Sequence, residues 1–104
     1  MTKTETAKRL LRRIFIKTNN TEYYTIDGKR DGEYKTWHYN GQPSEYCHYR
    51  NGKLDGEDRS WHDNGQLHRR CYYKNGKLDG EYKSWRDNGQ LIMYCHYKNG
   101  VKVK

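Results

Sequence analysis

The chain repeats itself every 24 residues. Asp27-Gly28-Lys29-Arg30-Asp31-Gly32-Glu33-Tyr34-Lys35-Thr36-Trp37 returns as the run from Asn51 to Trp61. It returns again as Asn75-Gly76-Lys77-Leu78-Asp79-Gly80-Glu81-Tyr82-Lys83-Ser84-Trp85. A fixed period of this length builds one supersecondary unit several times, and each unit buries its apolar surface only against its neighbours. Three units follow, 31–54, 55–78 and 79–102, with a degenerate half-unit before them at 21–30. In each, a run ending in Trp leads to Asn40-Gly41, Asn64-Gly65 or Asn88-Gly89. A second run carries a Cys, ends in Tyr, and leads to Asn51-Gly52, Asn75-Gly76 or Asn99-Gly100. Asn-Gly between β-favouring runs marks a hairpin, because both residues tolerate positive φ. Hairpins this tight join only antiparallel strands. The pattern predicts an all-β repeat, a single-layer antiparallel β-hairpin meander of about seven strands.

A thin sheet also suits the composition. Only 32% of residues are hydrophobic, and eleven Tyr and three Trp carry much of that share. The aromatics, with Pro43 as the one proline, separate the chain from disordered sequences.

Register decides which side chains share a face. A three-residue loop at Asp63-Asn64-Gly65 sets Trp61 opposite Leu67, and Trp61, Leu67, Cys71 and Tyr73 then share one face. A two-residue turn sends Trp61 to the other face. The first arrangement gathers the apolar residues and is the expectation. It stacks Trp37, Trp61 and Trp85 beside Cys47, Cys71 and Cys95. A single-layer sheet cannot cover both faces, and a row of large side chains left open marks an interaction surface. Trp37, Trp61, Trp85, Tyr49, Tyr73 and Tyr97 are therefore the candidate partner-binding residues. The competing expectation is plain packing of the Trp on Leu67, Leu91 and the N-terminal segment.

Residues 1–20 differ from the rest. Ala7, Leu10, Leu11, Ile14 and Phe15 follow helical spacing, and Thr2 with Glu5 forms a capping-box pattern. Ile14-Phe15-Ile16 equally reads as the start of a strand. Residues 1–17 hold six basic side chains against Glu5, which is +5 of the chain's net +8. The expected role is a short amphipathic helix capping the open end of residues 31–104. The alternative is contact through Lys8, Arg9, Arg12 and Arg13 with a membrane surface or, as the weaker reading, with the phosphates of a nucleic acid. The tail Val101-Lys102-Val103-Lys104 alternates, and its lysines guard an edge strand.

Chemistry finds little support. Equivalent strands of successive units stand about 9.6 Å apart, beyond the reach of a disulfide or a shared zinc. Cys47-His48 and Cys95-His96 point to opposite faces. Asp31, Asp55 and Asp79 belong to turn grammar. The expectation is no catalytic residue, no metal, no cofactor and no small-molecule substrate. Without an apolar run of about 20 residues or a secretory leader, the chain reads as intracellular and cytoplasmic.

Asn75-Gly76-Lys77-Leu78-Asp79-Gly80-Glu81, with Trp85 and the Asn88-Gly89 turn, resembles the MORN (membrane occupation and recognition nexus) repeat. It is closer to the 24-residue variant found in putative bacterial antitoxins and in giant DNA viruses, over about residues 27–102. Asp31, Asp55 and Asp79 stand where the widely known MORN pattern commonly has His. The resemblance implies a MORN-like single-layer sheet, no catalytic residues, and a protein-binding or scaffold role, with self-association or membrane contact in some members. It also implies, as an alternative, an antitoxin that neutralises a partner toxin. A viral source would imply host cytoplasm or virion.

Overall fold

Two kinds of turn alternate along the chain and set its architecture. At Asp27-Gly28, Asn51-Gly52, Asn75-Gly76 and Asn99-Gly100 both residues have positive φ, 50–51° and then 79–83°. That is the type I′ geometry that follows the natural twist of a hairpin. At the other end of each hairpin only the glycine is left-handed: Gly41, Gly65 and Gly89 all sit at φ 89°. There His62 N–H donates to Gln66 O at 2.8 Å, and Asn64 Oδ1 accepts from Gln66 N–H at 2.9 Å. The loop is the expected three-residue one, Asp63-Asn64-Gly65.

The computed structural model describes residues 2–103; Met1 of the N-terminal segment and Lys104 of the tail lie outside the described residues. The elements are α1 (Lys3–Leu11), β1 (Ile14–Lys17), β2 (Thr21–Ile26), β3 (Lys29–Trp37), β4 (Pro43–Arg50), β5 (Lys53–Leu54), β6 (Gly56–Trp61), β7 (Leu67–Lys74), β8 (Lys77–Leu78), β9 (Gly80–Trp85), β10 (Leu91–Lys98) and β11 (Val101–Val103). One antiparallel sheet runs β1-β2-β3-β4-β6-β7-β9-β10-β11, with β5 on β4 and β8 on β7. Apart from the two-residue strands β5 and β8, every neighbour in the sheet is the next strand in the chain. The molecule measures 46 × 37 × 18 Å. All eleven strands among the described residues belong to that one sheet, so it has no second sheet to pack on.

The helix is shorter than its sequence pattern. Thr2 caps it, with both arms of the capping box formed, and it ends at Leu11. Ile14–Lys17 is then a strand, with Ile14 opposite Thr25 and Lys17 opposite Glu22. In the next unit Gly32 lies opposite Tyr49 and Lys35 opposite Tyr46. Those partners are the residues 24 positions on from Thr25 and Glu22, so β1 takes the place of a first strand. The segment at 21–30 is half of a complete hairpin.

Trp61 does lie opposite Leu67, but Ser60 lies opposite Arg69 and Asp58 opposite Cys71. His68 is an extra residue, a β-bulge. Ser44 and Ile92 are the same bulge in the flanking units. The expected face is therefore wrong: the bulge shifts each Trp by one residue against its Cys. Trp61 falls in step with Arg59 and Glu57, on the face away from Cys71 and Tyr73. Cys47, Cys71 and Cys95 form the core of the other face, and Cys71 is 0% exposed.

Adjacent units are clasped along both margins. His38 and His62 donate through Nε2 to Trp61 O (2.8 Å) and Trp85 O (2.9 Å). Asn40 and Asn64 donate through Nδ2 to Asp63 O and Asp87 O, each at 2.8 Å. On the opposite margin Gly52, Gly76 and Gly100 N–H donate to Arg30, Leu54 and Leu78 O, all at 2.8 Å.

Candidate functional site

The tryptophan face combines aromatic and charged groups in a repeating row. Trp37 and Trp61 flank an open groove of about 340 Å³ that Lys35, Pro43, Tyr46 and Arg59 also line. Both Trp are half-buried, and their bodies form the walls. Beneath them runs a line of tied carboxylates. Glu33 accepts from Tyr46 Oη–H at 3.0 Å and pairs with Lys35 at 3.4 Å. Glu57 pairs with Arg59 and Arg70, each at 2.8 Å. Glu81 accepts from Tyr94 Oη–H at 2.8 Å. The Tyr46 hydrogen bond, with Lys35 beside it, holds Glu33 below its ordinary value of 4.5 despite some burial. Burial raises Glu57, but the hydrogen bonds from Arg70 and Arg59 outweigh it and the carboxyl is also lowered. These groups are ionised and already bonded, which suits them to hold a surface in shape and not to carry protons.

Tyr49, Tyr73 and Tyr97 lie on the cysteine face, so the six aromatic candidates divide between two surfaces. Here aromatic rings interlock. Tyr23 meets Tyr34 at 5.5 Å, Tyr34 meets Tyr49 at 5.6 Å, and Tyr82 meets Tyr97 at 5.8 Å. The Arg30 guanidinium lies 5.0–5.5 Å from the ring centres of Tyr23, Tyr34 and Tyr49.

The middle unit breaks this row. Asp58 stands where its neighbours have Tyr34 and Tyr82, and Arg69 stands where they have Glu45 and Met93. Asp58 is 2% exposed. Its Oδ2 lies 3.5 Å from Arg69 Nη2, and Glu45 Oε2 lies 3.6 Å from the same nitrogen. Burial, with Glu45 adding to it, pushes the Asp58 carboxyl up to about 6. Burial, with Asp58 beside it, pushes the Cys47 thiol up to about 12 and the Cys71 thiol up to about 11. Both stay protonated near neutral pH and are poor nucleophiles. Sequence reasoning passed over Asp58 and Arg69, although both were visible as departures from the period.

At the N-terminus the basic candidates divide as well. Arg9 and Arg13 turn inward onto Asp31, which is 4% exposed. Asp31 also accepts from Asn51 N–H at 3.2 Å. Arg12 pairs with Asp27 at 3.4 Å on the surface, and Lys8 is exposed. The helix is fastened by ions and not by its apolar stripe: Leu10, Leu11 and Ile14 stay exposed, Leu11 at 86%. No helix among the described residues is long and apolar enough to cross a membrane.

Two solved structures are similar to this chain over most of its length. One is the Glycosylation Associate Protein (Gap123) complex from Streptococcus agalactiae, 18% identical, matched over 88% of this chain and 18% of that one, with a TM-score of 0.49. The other is accessory secretory protein 1,2 and 3 in Streptococcus pneumoniae, 16% identical, matched over 86% and 18%, also at 0.49. This chain thus spans about a fifth of the solved chains it matches. No curated protein matches it. The MORN repeat variant matches residues 30–51, 54–75 and 78–99. These ranges fall on the three hairpin units and cover over half of the chain. The chain belongs to the MORN repeat variant family.

Proposed function

We propose that the protein is a non-catalytic interaction module that holds a partner protein on its tryptophan face. The groove between Trp37 and Trp61 carries this reading: it is open, aromatic-walled and rimmed by Lys35 and Arg59. Trp, Tyr and Arg are the usual anchors of protein interfaces. Each of the three units presents a Trp and a Glu on this face at a spacing of about 9.6 Å, which favours an extended partner crossing several strands. A second copy of the chain is one such partner. Light scattering on the purified chain separates self-association from capture of another protein. For the latter, wild type, Trp61→Ala and Tyr73→Ala are compared as baits after each is shown to be folded. A partner kept by Tyr73→Ala and lost by Trp61→Ala supports the reading. Equal retention by all three removes the tryptophan face from it.

A second reading rests on the uncovered stripe of α1. Exposed Leu10, Leu11 and Ile14 beside Lys8 and Arg12 suit shallow contact with an anionic lipid surface, which a single short helix makes only marginally. Flotation with anionic vesicles, with and without residues 1–13, tests it. Equal binding by both forms excludes the helix.

A further inference from the structure

Glu45 and Cys47 are two residues apart on β4, so their side chains share a face. β6 lies alongside, with Ser60 opposite Glu45 and Arg59 opposite Tyr46, which brings Asp58 to the same place. A carboxylate oxygen of Glu45, Cys47 Sγ and a carboxylate oxygen of Asp58 all lie within 4.8 Å of one another. Asp58 Oδ1 is buried and has no hydrogen-bond partner. Ser60 Oγ and Arg69 Nε beside it are buried without partners as well, so this place has unmet bonding capacity that a ligand on Asp58 would satisfy. Arg69 approaches both carboxylates only at 3.5–3.6 Å, too long for good hydrogen bonds. The set occurs once, because the first and third units have Tyr at the Asp58 position.

We propose that Glu45, Cys47 and Asp58 bind a divalent, zinc-like cation. A sulfur beside two carboxylates favours a borderline metal over calcium or magnesium, which take oxygen alone. Charge supports the same choice. A thiolate and two carboxylates carry three negative charges, which a divalent ion and the Arg69 guanidinium balance. Arg69 then serves as the outer partner that orients the carboxylates. On binding, the Cys47 S–H bond breaks, a sulfur–metal bond forms, and the proton leaves to solvent. No electron changes hands. Water completes the fourth position. The ligands of one tetrahedral zinc stand about 3.5 Å apart, so a shift of about 1 Å in these side chains closes the site. Glu45 and Arg69 keep about a third of their side chains exposed and form the entrance. This inference is independent of the tryptophan face.

The test uses the full chain, reduced and stripped with a chelator. Zinc is titrated in competition with a chromophoric chelator, and cobalt(II) is added separately to read the thiolate-to-cobalt charge-transfer band. The expected result is one equivalent per chain, the cobalt band present, and no competition from magnesium. Glu45→Gln, Cys47→Ser and Asp58→Asn each weaken zinc more than about tenfold, whereas Cys71→Ser and Cys95→Ser, on the same sheet, bind as wild type does. Far-ultraviolet circular dichroism confirms each variant's fold, and Glu45→Gln, at the entrance, is the variant least exposed to misfolding. Absence of the cobalt band, or equal zinc binding by wild type and Cys47→Ser, overturns the proposal.

Discussion

The two faces of the sheet are built from the same strands and do opposite jobs. The cysteine face is closed: its small thiols are buried, with Tyr rings interlocked in the first and third units and Cys71 0% exposed in the second. The tryptophan face is open: its large side chains are half-buried, and its charges are paired but wet. The lesson concerns size. A single-layer sheet keeps one dry face by filling it with small groups that neighbouring rings can roof over. Its bulky aromatics then go where nothing needs to close above them.

A charge placed on adjacent residues of β7 separates the faces most strongly. Cys71→Lys forces a long charged side chain into a filled position beside Asp58 and costs about 3 kcal/mol, whereas Tyr72→Lys, on the open face, costs about 1 kcal/mol. Urea unfolding measures both, and equal losses break the comparison. The next test asks what the charged pair does within the closed face. In the presence of chelator, Arg69→Met leaves Asp58 buried alone and costs about 3 kcal/mol. Adding Asp58→Tyr restores the side chains of the third unit, and the double variant returns to within about 1 kcal/mol of wild type. A double variant as unstable as the single one shows that the pair is not a replacement within a Tyr row. Third, Trp61→Ala loses about 1–2 kcal/mol, less than a fully buried aromatic would, because half of the ring is already in water. A larger loss places Trp61 in the core and weakens the docking reading.

The smallest effect concerns pH. Glu33 is held below its ordinary value of 4.5, chiefly by Tyr46. A lowered folded-state pKa adds stability above the unfolded pKa and loses it as pH falls through the folded value. Glu33→Gln is therefore slightly less stable than wild type at pH 7, and the gap closes as pH falls through the lowered Glu33 value, below 4.5. A gap unchanged between pH 7 and pH 3 shows that the ionised carboxylate contributes nothing.

Much of this was legible in the sequence. The period, the Asn-Gly turns and the three-residue loop fixed the hairpins and even the Trp61–Leu67 pairing. The face was not legible, for a definite reason. Every unit carries the same bulge residue, His68 or its counterparts Ser44 and Ile92, so comparing one unit with another never exposes it. The strand β1 was one of two readings of Ile14-Phe15-Ile16, but its place in the array was hidden, because Ile14–Lys17 keeps the register of a unit without its Gly-Glu signature. Asp58 and Arg69 were open to view, since a Tyr-to-Asp change in a repeating row is a local event that a period makes conspicuous. Their burial, which gives them meaning, required the fold.

The chain-order sheet has a mechanical consequence. When the two termini are pulled apart, the load reaches one outer hairpin at a time, and its hydrogen bonds are taken in sequence, as in a zipper. Each 24-residue unit releases about 80 Å of chain at about 3.4 Å per residue. A molecule 46 Å across can therefore lengthen severalfold in discrete steps under force. As slack is removed it can also rewind unit by unit, because each hairpin needs only the one before it as a template.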